Sequence, residues 1–280
     1  MYVYVIPYQG KYIVYRPLLR LAFLANAAMV NLIAELKENP VSNGLSENQE
    51  IFQFLKKIGF LEPDPPYPPS PLKEESFKPT VAVCLLTTRC NFRCIYCYAS
   101  GGEGLVQELP IELGQQAIKK ACRNAMESGE ECFSVNFHGG GEPTLARGSF
   151  KELVKYARLQ ELPCQISVAS NGYWGRQQRK WILDHLDQVS LSFDGLQVLQ
   201  DRQRPLASGK GTFPKVMETI QEMDKRKFSY GIRLTVTDEG IDQLAPSIEF
   251  LCRESDCRTF QVEPAFNHGR ARRDNQALNN

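Results

Sequence analysis

The pattern of hydrophobic and polar positions divides the chain into two parts. In the first part, residues 2–8 and 11–16 carry apolar and aromatic side chains on either side of a Gln-Gly turn, which predicts a β-hairpin. Apolar positions that recur every three or four residues then predict helices at 18–37 and 47–58, with Gly59 ending the second helix. The first part is therefore predicted to be a small α+β region.

After Pro79, apolar runs too short for helices alternate with longer amphipathic segments. The predicted strands lie at 81–87, 132–138, 164–170, 188–193, 229–236 and 258–263. The predicted helices lie at 111–128, 148–159, 174–186, 212–227 and 241–254. This alternation indicates βαβ units and a parallel sheet, either in a barrel or in a doubly wound sheet. In both architectures, ligands bind at the C-terminal ends of the strands.

A proline-rich run at 61–71 separates the two parts. Proline disfavours helix and favours an extended chain, so we expect a linker here. The resulting division gives a small α+β domain at 1–62, a linker at 63–78 and a main domain at 79–266. We expect residues 267–280 to be the start of a C-terminal region that is truncated.

Composition narrows the class of protein. The chain has 280 residues, of which 42% are hydrophobic, and a formal net charge of +1. This near-neutral balance gives no electrostatic reason to expect nucleic acid or a membrane as a partner. The N-terminus lacks the basic region of a signal peptide. Nine cysteines without such a signal indicate a reducing compartment and metal ligation, so we expect a cytoplasmic protein.

Three closely spaced cysteines follow the first strand of the main domain. Cys90, Cys94 and Cys97 have the spacing C-x3-C-x2-C, in a loop that can direct three sulfurs at one cubic iron–sulfur cluster. Three thiolates leave the fourth iron open for another ligand. A zinc knuckle or a redox pair is the alternative. Zinc would require a fourth Cys or His nearby, and the nearest histidine is His138.

The cysteine loop resembles the cluster motif of the radical S-adenosylmethionine (radical SAM) enzymes. In that family the amino and carboxylate groups of SAM chelate the open iron, and an aromatic residue precedes the third cysteine. Tyr96 fills this position. The resemblance implies two cofactors, a [4Fe–4S] cluster and SAM. It also favours a partial (β/α)6 TIM-type barrel over the doubly wound sheet.

Two further motifs of the family follow the second and third predicted strands. Gly140, Gly141 and Glu142 resemble the GGEP motif, in which glycines allow close backbone approach and Glu142 suits the ammonium group of SAM. A glycine turn with a solvated glutamate is the alternative. Ser170 and Asn171 resemble a turn whose side chains lie near SAM, although Asn-Gly is also common in ordinary turns.

The fourth predicted strand ends in a segment typical of one branch of the family. Ser192-Phe-Asp-Gly resembles the S-x-D-G segment of sulfatase maturases and of their SPASM-like, peptide-modifying relatives. The run from Gln200 to Arg204 resembles the H-D-x-x-R run of that branch, with Gln200 in place of histidine. The resemblance implies that Ser192 and Arg204 contact SAM, with the guanidinium on its carboxylate. Alternatively, Arg204 is a surface charge. Asp194 is also a candidate to face the substrate.

The last two predicted strands contribute two weaker candidates. Alternation along the fifth strand places Arg233 inside the barrel, where it needs an anionic partner such as Glu142 or SAM. On the sixth strand, the family packs a hydrophobic residue on the adenine ring. Val262 is the candidate for this contact.

The resemblance implies a radical SAM enzyme that cleaves SAM reductively to a 5′-deoxyadenosyl radical and then abstracts hydrogen from a peptide or protein side chain. A reductant such as flavodoxin or ferredoxin would supply the electron. Formylglycine formation in a sulfatase is an alternative reaction. A non-catalytic iron–sulfur or zinc module that binds peptides is an alternative function. No catalytic acid or base can be assigned within the chain.

The predicted N-terminal region also resembles a known module. It is similar to the winged-helix peptide-recognition domain that is fused to many peptide maturases. An exposed hairpin edge of this kind could bind a leader peptide as an added strand. The alternative is a structural cap on the main domain.

Overall fold

The structure is a computed structural model that describes residues 2–38, 49–66 and 77–273. The chain divides into two compact units, residues 1–76 and 77–280. The predicted linker at 63–78 spans this division, and its residues 67–76 lie outside the described residues, as do the first two residues of the predicted helix at 47–58. Each unit is described below by itself.

The N-terminal unit contains a three-stranded antiparallel sheet in the order β1-β2-β3. Its elements are β1 (Tyr4–Tyr8), β2 (Lys11–Arg16), β3 (Leu21–Ala25), α1 (Ala27–Glu38) and α2 (Gln49–Lys57). The hairpin prediction is confirmed, but the helix expected at 18–37 is wrong in its first half. A short 3₁₀ turn ends at Arg20, whose φ of 55° reverses the chain, and the following residues then alternate in burial as a strand does.

A buried arginine joins the end of α2 to the sheet. Gly59 adopts a φ of 74° and ends the helix, as predicted, with Phe60 donating its N–H back to the carbonyl of Leu55. The guanidinium of Arg16, at the end of β2, donates to the carbonyl of Phe60 and forms an ion pair with Asp64. The start of the proline-rich run is therefore anchored to the N-terminal unit.

The C-terminal unit contains six parallel strands in sequential order from β4 to β9. The strands are β4 (Val81–Cys84), β5 (Phe133–Phe137), β6 (Cys164–Ser170), β7 (Gln188–Ser192), β8 (Tyr230–Val236) and β9 (Phe260–Pro264). The helices are α3 (Ile111–Glu127), α4 (Arg147–Arg158), α5 (Arg176–His185), α6 (Gln197–Gln203), α7 (Phe213–Lys225), α8 (Leu244–Glu254) and α9 (Gly269–Arg273). Six parallel strands with connecting helices confirm the partial (β/α)6 barrel.

The short helix α6 was not predicted from the sequence. Its buried residues are Gln200 and Gln203, whereas its apolar Val198 is exposed. A helix that buries amides and exposes a valine has no apolar stripe, so hydrophobic periodicity cannot reveal it.

The two faces of the parallel sheet differ in polarity. On β5, Phe133, Val135 and Phe137 are buried in the hydrophobic core, while Ser134 and Asn136 between them are half-buried. β6, β7 and β8 repeat this alternation. The apolar face therefore forms the core, and the other face lines a polar interior. Side chains at the C-terminal ends of the strands are thereby brought around one opening.

No helix in the described parts of the chain, 2–38, 49–66 and 77–273, combines the length and apolar character needed to cross a membrane.

Candidate functional site

A cavity of about 560 Å³ lies at the C-terminal ends of the parallel strands. Thirteen residues were predicted from the sequence to bind metal or cofactor, and all but Val262 line this cavity. They are Cys90, Cys94, Tyr96, Cys97, Gly140, Gly141, Glu142, Ser170, Asn171, Ser192, Arg204 and Arg233. Motifs spread over more than 140 residues of sequence are thus brought to one place because every strand points the same way.

The cysteine loop presents three free thiols to the cavity. Backbone N–H groups within the loop point at two of the sulfurs, from Phe92 to Cys90 at 3.4 Å and from Gly101 to Cys97 at 3.3 Å. Burial raises the pKa of Cys90 to about 12 and that of Cys94 to about 11. These thiols stay protonated near neutral pH until a metal displaces the protons.

In the residues that the structure describes, no three His, Cys, Asp or Glu side chains are grouped closely enough to hold a single metal ion. A cubic cluster is a larger ligand than one ion, because each thiolate binds a different iron. The arrangement of Cys90, Cys94 and Cys97 around one cavity therefore suits a cluster better than a zinc ion.

The glycine loop after β5 is bonded directly to the start of the cysteine loop. Gly141 donates its N–H to the carbonyl of Thr87 at 2.8 Å, and Glu142 donates to that of Arg89 at 2.7 Å. A Cβ atom at Gly141 would lie 2.0 Å from the Arg89 carbonyl oxygen. Only glycine allows this approach, so Gly141 sets the position of the cysteine loop relative to the sheet.

Glu142 is 3% exposed and joins the second motif to the third. Its Oε1 accepts hydrogen bonds from the hydroxyls of Thr144 and Ser170, both at 2.7 Å, and its Oε2 accepts from the backbone N–H of Asn171 at 2.8 Å. Burial raises the pKa of Glu142, while these donors oppose the rise. The carboxylate therefore accepts hydrogen bonds that hold the surrounding loops together. Oε2 accepts fewer of them than Oε1, so Oε2 is the oxygen that can more readily accept a further hydrogen bond from a ligand.

Tyr96 connects two buried charged groups. Its hydroxyl donates to Oδ2 of Asp194 at 2.6 Å and accepts from Nη1 of Arg204 at 2.5 Å. Burial raises the pKa of Asp194, and the positive charge of Arg204 opposes that rise. Asp194 is almost fully buried and holds Tyr96, so the idea that it faces a substrate is corrected.

The guanidinium of Arg204 lines the cavity although it is only 7% exposed. Its Nε has no hydrogen-bond partner within the described ranges of the chain. A largely buried guanidinium that lines a cavity is suited to an anionic ligand group, in particular a carboxylate. The alternative of a surface charge at this position is therefore wrong.

Gln200 replaces the histidine of the family run without facing the cavity. Its Oε1 accepts the backbone N–H of Asp194 at 2.9 Å, and its Nε2 donates to the hydroxyl of Thr212 at 2.9 Å. That hydroxyl in turn donates to the carbonyl of Arg204 at 2.9 Å. A neutral amide that donates and accepts at the same time can therefore link the two ends of this segment.

Two predicted contacts are corrected by the strand geometry. Arg233 does line the cavity, but its carboxylate partner is Glu263 at 2.8 Å on the neighbouring strand, not Glu142. Val262 is 43% exposed and does not line the cavity. Because side chains alternate along β9, Glu263 takes the inward position, and the chain beyond it supplies Ala265 to the cavity.

Several cavity residues were not predicted from the sequence. His138, Tyr98 and His268 all line the cavity. His138 directly precedes the glycine loop and Tyr98 directly follows the third cysteine. Their places next to these motifs could have identified them as candidates. His268 follows the last strand, and no motif identified it.

The comparison with protein families assigns the class of protein. The sequence profile of the Radical SAM superfamily matches residues 84–251, which is more than half of the chain. The chain therefore belongs to the radical SAM superfamily, whose cofactors are a [4Fe–4S] cluster and SAM.

Curated relatives match over the same region. The chain is 29% identical over 206 residues to the sporulation killing factor maturation protein SkfB of Bacillus subtilis, covering 73% of this chain and 47% of SkfB. It is 25% identical over 193 residues to a cysteine-type anaerobic sulfatase-maturating enzyme of Clostridium novyi, covering 64% and 49%. The chain thus spans about half the length of the curated relatives it matches.

Solved structures share the fold. Native anSMEcpe with bound AdoMet (SAM) and the Kp18Cys peptide aligns with a TM-score of 0.59 at 22% identity, over 66% of this chain and 51% of that chain. Streptococcus suis SuiB bound to the precursor peptide SuiA aligns with a TM-score of 0.53 at 12% identity, over 92% and 61%. At these identities the likeness is one of fold.

The donor set of the cavity fits both cofactors of the family. Cys90, Cys94 and Cys97 supply three free thiols, the number that leaves one iron open. Arg204 supplies a largely buried guanidinium that can pair with a carboxylate. A volume of about 560 Å³ lies within the ordinary range for cavities that bind small molecules.

Proposed function

We propose that the chain contains the catalytic barrel of a peptide maturase, in which Cys90, Cys94 and Cys97 hold a [4Fe–4S] cluster and the adjoining cavity binds SAM. The reaction removes a hydrogen atom from a side chain of a peptide or protein. The observation that carries this proposal is the meeting of three free thiols and the buried guanidinium of Arg204 in one cavity.

The cluster and SAM, when bound, supply the reductive cleavage that yields methionine and a 5′-deoxyadenosyl radical. The protein's part is to bind, orient and shield. The guanidinium of Arg204, which lines the cavity, binds the carboxylate of SAM, with Tyr96 holding its Nη1 in place. Oε2 of Glu142 accepts from the ammonium group. Both contacts orient the amino-acid end of SAM toward the cysteines.

The remaining predicted residues complete the binding site. Asn171 donates its side-chain amide to Asn91 at 2.8 Å, which fixes the turn after β6 against the cysteine loop. Ser192 and Ser170 present hydroxyls to the same cavity. Gly140 has a φ of 72°, so its backbone polar groups can face the ligand without a side chain in the way.

The substrate is proposed to be a peptide because the relatives act on or bind peptides. SkfB matures a sporulation killing factor, and the SuiB and anSMEcpe structures contain peptides. In this chain, the Arg233–Glu263 pair lines the cavity and offers both a donor and an acceptor to a peptide group. A reductant of the flavodoxin or ferredoxin type supplies the electron.

The N-terminal unit is proposed to recognise part of the peptide. The outward face of its sheet is apolar and exposed, with Tyr4, Ile6, Tyr8, Tyr15 and Leu24 on it. β1 is an outer strand of the sheet, and all of its residues are exposed. An extended peptide can pair with such an edge and place alternate side chains on the apolar face.

Anaerobic reconstitution with iron and sulfide tests the proposal. We expect iron and sulfide in the protein, and release of 5′-deoxyadenosine from SAM when dithionite is added. Cys94→Ala should abolish both, whereas Cys252→Ala should change neither because Cys252 is exposed and outside the cavity. A protein that binds zinc and never cleaves SAM would support the non-catalytic alternative. SAM cleavage retained by Cys94→Ala would overturn the assignment of the cysteines.

Formylglycine formation is the second candidate reaction. It is favoured by the match to the cysteine-type anaerobic sulfatase-maturating enzyme. Incubating the reconstituted protein with a cysteine-containing sulfatase peptide separates the two. Mass loss corresponding to conversion of the cysteine to an aldehyde would favour formylglycine formation, and its absence together with SAM cleavage would favour another peptide modification.

A further inference from the structure

The chain returns to the cysteine loop after the last strand of the barrel. The short helix α9 begins at Gly269, and Arg270 is only 5% exposed although it carries a charge. The sequence assigned no role to this arginine, and no step of the proposed reaction uses it. A buried guanidinium needs acceptors, and all of those it has lie in one loop.

Arg270 contacts the cysteine loop through every donor group that it has. Its Nη1 donates to the carbonyl of Cys94 at 2.6 Å and its Nη2 to that of Gly101 at 3.2 Å. Its Nε donates to the carboxylate of Glu103 at 2.8 Å, and its backbone N–H donates to the carbonyl of Cys97 at 2.9 Å. One residue therefore fixes the backbone at two of the three cysteines and beyond them.

Close approach of the two segments requires the glycine before the arginine. A Cβ atom at Gly269 would lie 2.2 Å from the carbonyl oxygen of Tyr98 and 2.5 Å from that of Cys97. Gly269 also has a φ of 57°, in the left-handed region. After it, Ala271 is fully buried in a small cluster with Tyr96. The segment is thus packed against the loop on both sides of Arg270.

We propose that Arg270 is a positioning residue that holds the cysteine loop in the conformation that accepts the cluster. This inference rests on the proposed function. The rigid fork of guanidinium fixes two carbonyls and a carboxylate at once, which a lysine ammonium cannot do in the same geometry. Its positive charge also lies beside a site that becomes anionic when thiolates bind a cluster, and neighbouring charge and hydrogen bonds affect cluster potentials.

A more exposed arginine elsewhere in the barrel, with the same kinds of acceptors, provides the control. Arg158 also bridges backbone carbonyls and a carboxylate, with its guanidinium donating to Cys164, His185 and Asp187. These acceptors lie at the opposite ends of the strands from the cavity. Arg270→Lys and Arg158→Lys therefore remove the same kind of fork, one beside the cysteine loop and one far from it.

The first measurement uses the protein without iron. Hydrogen exchange of residues 90–103 should become about tenfold faster in Arg270→Lys, because the loop loses bonds to a charged donor. Arg158→Lys should leave exchange in this loop unchanged. Equal protection of the loop in wild type and Arg270→Lys would overturn the inference.

The second measurement uses the reconstituted protein. Arg270→Lys should bind less iron and sulfide per chain than wild type and lose them several-fold faster to a chelator, with a broadened electron paramagnetic resonance signal after reduction. Arg158→Lys should match wild type. If wild type itself takes up no cluster, the proposed function fails. If Arg270→Lys binds and retains the cluster as wild type does, only the role of Arg270 fails.

Glu103→Gln provides a second variant should Arg270→Lys not fold. It retains the guanidinium but removes its negative partner. We expect an intermediate loss of loop protection and of iron retention. Wild-type values of both in a folded Glu103→Gln protein would contradict the proposed positioning role.

Discussion

The hydroxyl of Tyr96 donates a hydrogen bond of 2.6 Å to Asp194, 98 residues further along the chain. The same hydroxyl accepts from Arg204, so one phenol links a buried carboxylate to a buried guanidinium. The family pattern requires only an aromatic side chain at this position. The hydroxyl has a separate role, because it accepts Nη1 of Arg204 and so fixes the orientation of the guanidinium beside the cavity.

Replacing Tyr96 with phenylalanine tests this link. The substitution keeps the ring but leaves Asp194 and Arg204 each without one buried hydrogen bond, at a cost of about 1.5–3 kcal/mol for bonds to charged groups. We expect the dissociation constant of SAM to rise about tenfold or more, since Arg204 loses its fixed orientation. Equilibrium dialysis with labelled SAM on the reconstituted protein measures the change.

Tyr156→Phe is the control for that substitution, because Tyr156 packs against the same core but lies outside the cavity. It should bind SAM as wild type does. If Tyr96→Phe also binds SAM with unchanged affinity and equal iron content, the hydroxyl does not orient Arg204 for the ligand.

Replacing Glu142 with glutamine tests its structural role. The amide nitrogen of glutamine would face donors from Thr144, Ser170 or Asn171, which leaves buried groups unpaired. We expect the free energy of unfolding to fall by about 1–3 kcal/mol, together with weaker SAM binding. Urea unfolding followed by tryptophan fluorescence reports this change, since Trp174 and Trp181 both lie in the barrel.

Glu152→Gln makes the same chemical change on an exposed face of α4. Its unfolding free energy should stay within about 0.5 kcal/mol of wild type. A Glu142→Gln protein as stable as Glu152→Gln would show that the hydrogen bonds to the Glu142 carboxylate contribute little.

Two glycines only seven positions apart should respond in opposite ways to alanine. Gly141→Ala places a methyl group 2.0 Å from the Arg89 carbonyl, so we expect a loss of about 1–3 kcal/mol in stability and a reduced iron content. Gly148→Ala meets no atom within 4 Å and lies in helix α4, so stability should stay the same or rise by up to about 1 kcal/mol. Thermal unfolding and iron analysis of both variants measure these changes. A Gly141→Ala protein that is more stable and holds more iron than Gly148→Ala would contradict the prediction.

The N-terminal unit should lose stability in acid through Asp64. The hydrogen bond from Arg16 holds the pKa of Asp64 below its ordinary value. A depressed pKa stabilises the folded state above the unfolded value of about 3.9, and this stabilisation disappears as pH falls through the lower folded value. Asp64→Asn should therefore flatten the acid dependence of protection in residues 2–25, measured by hydrogen exchange with correction for intrinsic rates.

Asp184→Asn is the control for the acid dependence. The pKa of Asp184 is also lowered, chiefly by its hydrogen bond with Lys180, but Asp184 lies on α5 of the barrel. This variant should leave the acid response of residues 2–25 unchanged. An identical response in Asp64→Asn and wild type would show that the Arg16–Asp64 pair does not support the N-terminal sheet.

The central strands were predictable because buried and less buried residues alternate along them. β6 spans the predicted residues 164–170, and β5 lies within the predicted 132–138. β3 was missed because a single polar residue, Asn26, separates its apolar residues from those of α1, and only the left-handed Arg20 separates the turn from the strand. The left-handed backbone conformation of Arg20 decided between helix and strand there, and hydrophobic periodicity does not report that conformation.

The candidate site was predictable to the extent that its residues occur in motifs after strands. Parallel strands bring such motifs together whatever the details of packing, so the cysteines, the glycine loop and Arg204 could be placed in one site. The partners of charged groups could not be placed. Arg233 meets Glu263 through the register of β8 and β9, and Arg270 reaches the cysteine loop from the segment that follows the last strand.

The sequence by itself determined the six parallel strands of the barrel, the family, and the three closely spaced cysteines that are proposed to hold the cluster. Those features depend on local spacing and on hydrophobic periodicity, both of which are written along the chain. Only the tertiary structure decided which charges pair, that Asp194 holds Tyr96, that Val262 faces away, and that Arg270 holds the loop. Hydrogen bonds between residues far apart in sequence depend on distances that appear only when the sheet has closed.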